Sequence, residues 1–525
     1  MRQWNSQNVS LLMIQVVLSM VFSRRWRNKL APLSNDWSVT SEHRYFSLSR
    51  MREWWVSVSV WGWIVGALAV VHAIWMIWIA YDLHYGLGTF SYDVGLYDQG
   101  VWLMSRFQEP YVTLMGRNLL GDHASLIMVF LIPVYWVVPG VMTLLVVQAI
   151  VVAAGTIPIY LFAKRLFNSG AMACGAAVVW LANPALNGGA MENFHPDTFL
   201  ALFIPLTLYA AFASKWKLFA VAVLLSVLVK EDVLLVMVPI GLFVAWRFDR
   251  RRGLLTALVS IVVTILGMFV MMRHLIGVPT RNGWRIPFGG FTGLFKETFT
   301  NPTNVVEHLM SEDRPMYLFK MMAPFAGVFF AAPSVALLAV PVLGSNMVST
   351  FWYQHQIEYH YSIVIVPILL VATLVAIAKF KEQWRPIAMT LTVMCSLVTF
   401  VTWGIHPLAS NPRAALTAGS PFAQSGLEII KGIPDDAVVS AYDPLTAHLG
   451  HRRQIYFFPN PFKGLYYGVD DSLSGKPLPA AKDVEYVVLP RALGEELSWV
   501  WAGVRPQFKE IDSNQFWQVF QRVQP

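Results

Sequence analysis

Charge is the scarcest commodity in this chain: Asp, Glu, Lys and Arg make up 13% of its 525 residues, about half of what a soluble domain carries. A chain that is 56% hydrophobic has too little polar surface to cover itself in water. That excludes an ordinary soluble fold. Cysteine is nearly missing as well. Cys174 and Cys395 stand singly in apolar runs, without a CxxC spacing or a disulfide ladder, so they read as packing residues and say nothing of redox compartment. Strict polar/apolar alternation is absent, which excludes a membrane β-barrel. What is abundant is continuous apolar sequence, recurring from Trp54 to His406 in stretches near the roughly 20 residues that span a bilayer as a helix.

The pattern predicts an α-helical polytopic membrane protein with about 11 spans, at 54–80, 140–163, 170–187, 198–214, 216–230, 232–247, 253–274, 316–332, 333–348, 360–379 and 386–405. The net charge of +8 does not mark a nucleic-acid binder, because the basic residues fall in short blocks between apolar runs. Lys164–Arg165, Lys215–Lys217, Arg247–Arg252 and Lys379–Arg385 are such blocks. All four fall on the cytoplasmic side if the N-terminal segment 1–53 is cytoplasmic, and an odd number of spans then places residues 406–525 outside. The apolar piece 124–138, with Pro133 inside it, is too short for a span and reads as a re-entrant or interfacial helix. Loops 81–139 and 275–315 become external elements. In the first 50 residues the apolar run Val9–Phe22 precedes Arg24, Arg25 and Arg27, the reverse of a secretory signal; an interfacial helix or a start at Met51 are the alternatives. In the tail, Ala437–Ala441, Gln454–Phe458, Val484–Leu489 and Phe516–Phe520 read as strands of a small α/β domain that shapes substrate access.

The unusual polar residues gather at the external edges. Ser-Tyr-Asp-Val-Gly-Leu-Tyr-Asp-Gln-Gly places Asp93 and Asp98 just past the first span. Carboxylates there suit a base for a hydroxyl nucleophile or ligands for a divalent metal; the plainer alternative is a pair of caps or solvated acids. Gly-Asp-His adds Asp122 and His123, and Met-Glu-Asn-Phe-His-Pro-Asp adds Glu192, His195 and Asp197, where His-Pro-Asp also starts a helix well. Lys230-Glu231-Asp232 breaks a long apolar stretch, a costly placement that suits a phosphate-binding lysine or a self-neutralising turn. His355, Glu358 and His360 lie at another edge, as an interfacial Tyr/His belt or as part of a site. Arg281, Arg285 and Arg314 stand where the positive-inside rule expects few cations.

Taken in order, Tyr-Asp-Val-Gly-Leu-Tyr-Asp-Gln, Gly-Asp-His-Ala-Ser, Asn-Phe-His-Pro-Asp, Val-Lys-Glu-Asp and His-Tyr-Ser resemble a bacterial family of predicted membrane proteins of unknown function. That family in turn resembles the GT-C superfamily of glycosyltransferases. The resemblance implies an enzyme of the bacterial cytoplasmic membrane that moves a sugar from a polyprenyl-phosphate-linked donor to a glycan or lipid acceptor at the outer face. It implies Asp93 as base with Asp98 as helper. Lys230 with Arg281 or Arg285 would meet the phosphate, and Asp122, His123, Glu192, His195, Glu231, His355 and His360 would line the pocket. The superfamily's adjacent acids or Asp-x-Asp are missing, so a divalent metal ion on Asp93 and Asp98 is left open as cofactor. A transporter or flippase of a lipid-linked saccharide is the alternative, but it would be expected to show paired repeats and broken midplane helices, and no repeat is apparent.

Overall fold

Twenty-six residues from Val60 to Tyr85 form the first helix among the described residues, α1. Its stem carries no acid before Asp82, and Ser59 closes the first turn by accepting the Gly62 amide. The structure, a computed structural model, describes residues 58–413 and 417–523; the expectations for 1–53 lie outside the described residues. Among those described, five helices are long and apolar enough to cross a membrane: Val60–Tyr85, Val141–Phe167, Arg250–Ile276, His360–Lys379 and Glu382–Trp403. Four further expected spans correspond to shorter apolar helices, Gly170–Leu181, Pro196–Phe212, Trp216–Val227 and Pro333–Val348, and the one at 232–247 to the helix Leu234–Arg247.

The shortening has local causes. The run expected at 170–187 stops at Leu181, because Asn183 accepts the amides of Ala185 and Leu186 and starts a second helix at Pro184. The run expected at 316–332 is interrupted where Ala326 and Gly327 take positive φ. Residues 124–138 form a short turn of 3-10 helix, Leu126–Leu131, followed by Ile132–Tyr135.

We number the elements used below as α1, α2 (Leu96–Ser105), α3 (Pro184–Glu192), α4 (Leu200–Phe212), α5 (Trp216–Val227), α6 (Leu234–Arg247), α7 (Arg250–Ile265), α8 (Val366–Lys379) and α9 (Arg385–Trp403). Burial separates inner from outer helices. The apolar stretch that includes α8 is 83% buried and that of α1 only 17%. On α1 the outward side chains include Trp61, Trp63, Val71, Ile74 and Trp78; on α7, Leu255, Leu258 and Val262; on α9, Ile387, Leu391 and Met394. Exposed apolar surface of this extent has to be covered, and lipid is the cover such helices take. α6 and α7 form a tight antiparallel pair through glycine: a Cβ on Gly253 would lie 2.1 Å from the Ala245 nitrogen, and one on Gly241 2.7 Å from the Ala257 nitrogen. Small residues permit this approach.

Past α9 the chain becomes a sheet with flanking helices. Besides a two-stranded hairpin, β1 (Tyr111–Val112) with β2 (Arg117–Asn118), the tail contributes β3 (Val439–Ala441), β4 (Ile455–Phe457), β5 (Tyr486–Pro490), β6 (Phe508–Ser513) and β7 (Trp517–Arg522) in the order β4-β3-β5-β7-β6. β3 runs parallel to β4 and β5, while β7 is antiparallel to β5 and β6. Four of these strands overlap the expected ones; β6 was not anticipated. The tail docks closely. Asp443 accepts the Ser91 amide at 2.9 Å, the His448 Nε2 lies 3.1 Å from the His84 carbonyl, and Asp82 accepts the Ala418 amide at 3.2 Å.

Candidate active site

The segment leaving α1 turns sharply, and Asp93 sits in that turn with φ 66° and ψ −98°. This lies in the strained γ-turn part of the left-handed half of the map, a conformation that persists only where surrounding contacts hold it. One of those contacts is His195, whose Nε2 is 3.0 Å from Asp93 Oδ1. The Asp93 side chain is 36% exposed and that of His195 only 5%, so the carboxylate is at once anchored and open. Burial alone would lower the His195 pKa; the Asp93 carboxylate reverses this and raises it.

Glu192 ends α3, and His195 follows in the stretch that leads to α4. The His195 ring stacks on His360 with centroids 3.4 Å apart and meets Tyr97 of α2 edge-on. Burial, then the charge of Asp93, pushes the Glu192 carboxyl up. Glu192 Oε2, His195 Nδ1 and His360 Nδ1 are all buried without a hydrogen-bond partner. Leaving one such atom unpaired costs about 1–3 kcal/mol.

The cations occupy the neighbouring layer. Lys230 is 3.5 Å from Asp197 and 3.2 Å from Asp232, and although burial opposes the charge these acids hold its pKa well above the usual lysine value. Its ammonium lies 5.9 Å from the centre of the Tyr361 ring. On the same tyrosine, the Arg285 guanidinium donates to the hydroxyl at 3.3 Å and lies over Phe351 at 4.3 Å. Among the described residues Arg285 pairs with no carboxylate, and its Nε is buried without a partner. Behind Lys230, Glu231 receives His123 Nδ1 at 2.7 Å and the Ala124 amide at 2.9 Å. Burial would raise the Glu231 pKa, but His123 brings it down to about 2.

The remaining expected residues have partners of their own. Asp98 is 1% exposed; it accepts the Tyr135 hydroxyl at 2.8 Å and lies 3.1 Å from His451 Nε2 of the tail. It therefore shares no partner with Asp93. Asp122 is tied to Arg117 at 2.6 Å. Arg281 approaches Asp471 of the tail at 3.8 Å. His355 contacts Glu312, which also holds Arg314. Tyr97, Tyr361 and His451 were not among the expected partners; Tyr97 stands in the Tyr-Asp-Val-Gly-Leu-Tyr-Asp-Gln segment and Tyr361 in His-Tyr-Ser, while His451 had no local signal. Among the described residues, the gathering of three metal-ligating groups is Glu192, His195 and His360, with donor atoms within 4.8 Å of one another; it includes neither Asp93 nor Asp98. An open groove of about 910 Å³ lies apart, walled by Phe107, Tyr111, Arg453, Tyr456, Tyr467 and Lys482.

A family model described as predicted membrane protein (DUF2079) matches residues 83–489, which carry this whole arrangement. The chain belongs to that family. No curated protein matches it. Among solved structures it is similar to ArnT from Cupriavidus metallidurans. The ArnT structure bound to undecaprenyl phosphate gives a TM-score of 0.52 at 12% identity, over 89% of this chain and 99% of that one. The apo ArnT structure gives 0.53 at 12% identity, over 88% and 98%. At such identity the likeness is one of fold, and it extends over nearly the full length of both chains.

Proposed function

We propose that this family member is an integral membrane glycosyltransferase that moves a sugar from a polyprenyl-phosphate-linked donor to a glycan or lipid acceptor at the outer face of the membrane. The observation that carries the reading is Asp93: an open carboxylate in a strained turn, oriented by a buried histidine that stacks on His360, next in sequence to the Tyr361 that receives Arg285, all within an ArnT-like fold. In this reading Asp93 takes the proton of the acceptor hydroxyl as it attacks the sugar. Arg285, with Lys230 behind Tyr361, stabilises the negative charge that grows on the departing phosphate. Arg285 is the stronger phosphate partner, because Lys230 already faces two carboxylates. Glu192, His195 and His360 shape the sugar pocket. Asp98 holds the tail in place, and the aromatic groove beside the tail offers stacking surface for an acceptor glycan.

The test is Asp93→Asn, which keeps shape and one hydrogen-bonding oxygen but removes the basic group. Loss of a positioned base lowers rate by about 10²–10⁴-fold. Transfer from a lipid-linked donor should fall by that factor while the melting curve and donor binding stay near wild type. Unchanged turnover would remove Asp93 as base.

A further inference from the structure

Three features converge on the space between Glu192, His195 and His360. Their donor atoms lie within 4.8 Å of one another, and ligands about 2.1 Å from one tetrahedral ion are spaced about 3.4 Å apart, a gap that side-chain rotation closes. All three residues are more than nine-tenths buried, and Glu192 Oε2, His195 Nδ1 and His360 Nδ1 each lack a partner. Finally, His195 is oriented from its other nitrogen, since Nε2 is held by Asp93 at 3.0 Å. A carboxylate on the far nitrogen is the usual support of a metal-bound imidazole, because it sets the tautomer and raises the basicity of the ligating atom.

We infer that Glu192, His195 and His360 form a binding site for a divalent transition-metal cation of the zinc class. Two imidazole nitrogens and one carboxylate oxygen suit zinc, iron or cobalt better than magnesium or calcium, which take oxygen. The carboxylates of Glu192 and Asp93 balance the double positive charge. The two rings now stack at 3.4 Å, so binding requires one imidazole to turn about its Cβ–Cγ bond, a soft torsion. Three protein ligands leave a further position for a water or a substrate oxygen. The inference concerns cation binding alone and stands whether or not sugar transfer is the reaction.

The experiment uses the full-length chain without an oligohistidine tag, purified in detergent, stripped with chelator and titrated with Zn²⁺ by calorimetry. One ion should bind per chain. Glu192→Gln and His360→Gln should each weaken binding by at least the roughly 10–100-fold that follows loss of an outer partner, and Asp93→Asn by about that range itself. X-ray absorption of the zinc-loaded wild type provides a reading that needs no variant, and two imidazoles with oxygen in the remaining positions are expected. Absence of stoichiometric uptake, uptake unchanged in folded Glu192→Gln and His360→Gln, or a zinc spectrum with fewer than two imidazoles would each overturn the site. None of these readouts depends on turnover, so a failed transfer assay leaves the metal result intact.

Discussion

Replacing Asp98 by alanine separates a structural role from a chemical one. The carboxylate is 1% exposed and receives the Tyr135 hydroxyl at 2.8 Å and His451 Nε2 at 3.1 Å, joining α2 to the tail. A hydrogen bond to a charged group contributes about 1.5–3 kcal/mol. Neither bond is lost in full. Tyr135 keeps the Gly140 carbonyl at 3.3 Å as a second acceptor, and the His451 side chain is 34% exposed, so water replaces part of its bond. The expected cost of Asp98→Ala is therefore about 2–4 kcal/mol, with Asp98→Asn near half of that because an acceptor remains for Tyr135. Denaturant titration of detergent-purified protein would measure it. A double-mutant cycle with His451→Ala should show coupling of about 1 kcal/mol. Transfer per folded molecule should stay within a few-fold of wild type. If Asp98→Ala unfolded with the wild type yet lost transfer as completely as Asp93→Asn, Asp98 would be part of the chemistry and not a tie between α2 and the tail.

Three further outcomes are expected. Arg285→Ala should weaken binding of a polyprenyl phosphate by about 10-fold or more while Arg285→Lys restores part of it, since a lysine keeps the charge but not the planar donor fork; equal binding by all three proteins would remove Arg285 as the phosphate partner. The His123–Glu231 pair gives stability a pH window: Glu231, lowered to about 2, contributes fully above its ordinary value near 4.5 and loses this as pH falls toward 2, whereas His123, raised by Glu231 against the effect of burial, contributes fully below 6.5 and loses this as pH rises past its folded value. The stability difference between wild type and Glu231→Gln should thus be largest near pH 5–6, and a difference independent of pH from 4 to 9 would refute the pairing. Gly253→Leu should destabilise the α6–α7 pair by about 2 kcal/mol or more through overpacking, because even a Cβ there meets backbone 2.1 Å away; a wild-type melting temperature would contradict the packing.

Much of the fold was legible because its signals are local. Apolar runs mark the helices, and the alternation of small apolar strands with turns marked β3, β4, β5 and β7. β6 escaped because Phe508-Lys-Glu-Ile-Asp-Ser is charged on its exposed face and carries a register shift between Glu510 and Asp512, so no apolar period stands out. The break after Leu181 was written in Asn183-Pro184, a cap followed by proline at the first turn, yet the surrounding hydrophobicity masked it. Residue types at the candidate site could also be read: Asp93, Glu192, His195 and Arg285 stood out as polar groups at external edges, and Lys230 as a charge where polarity is costly. Their pairings could not. His195 finds Asp93 about a hundred positions away, and Asp98, only five positions from Asp93, turns instead to the tail. His355 and Glu358 suit one helical face in sequence, but the chain from His355 to His360 is not a continuous helix, and His355 is drawn to Glu312.

The docking of β4 carries a consequence for handling the tail by itself. A strand at the margin of a sheet offers unpaired amides and carbonyls to any passing strand, which invites aggregation. At the β6 margin this is blunted by charge, through Lys509, Glu510 and Asp512, and by the register shift. At the opposite margin the protection comes from outside the tail: the Thr113 hydroxyl donates to the Ile455 carbonyl at 2.8 Å and accepts its amide at 2.9 Å, capping β4 with a side chain of the β1–β2 hairpin. The helical part of the molecule thus serves as the tail's edge guard. A tail fragment expressed alone would be expected to self-associate through β4, and the same fragment co-expressed with residues 58–413 to remain dispersed.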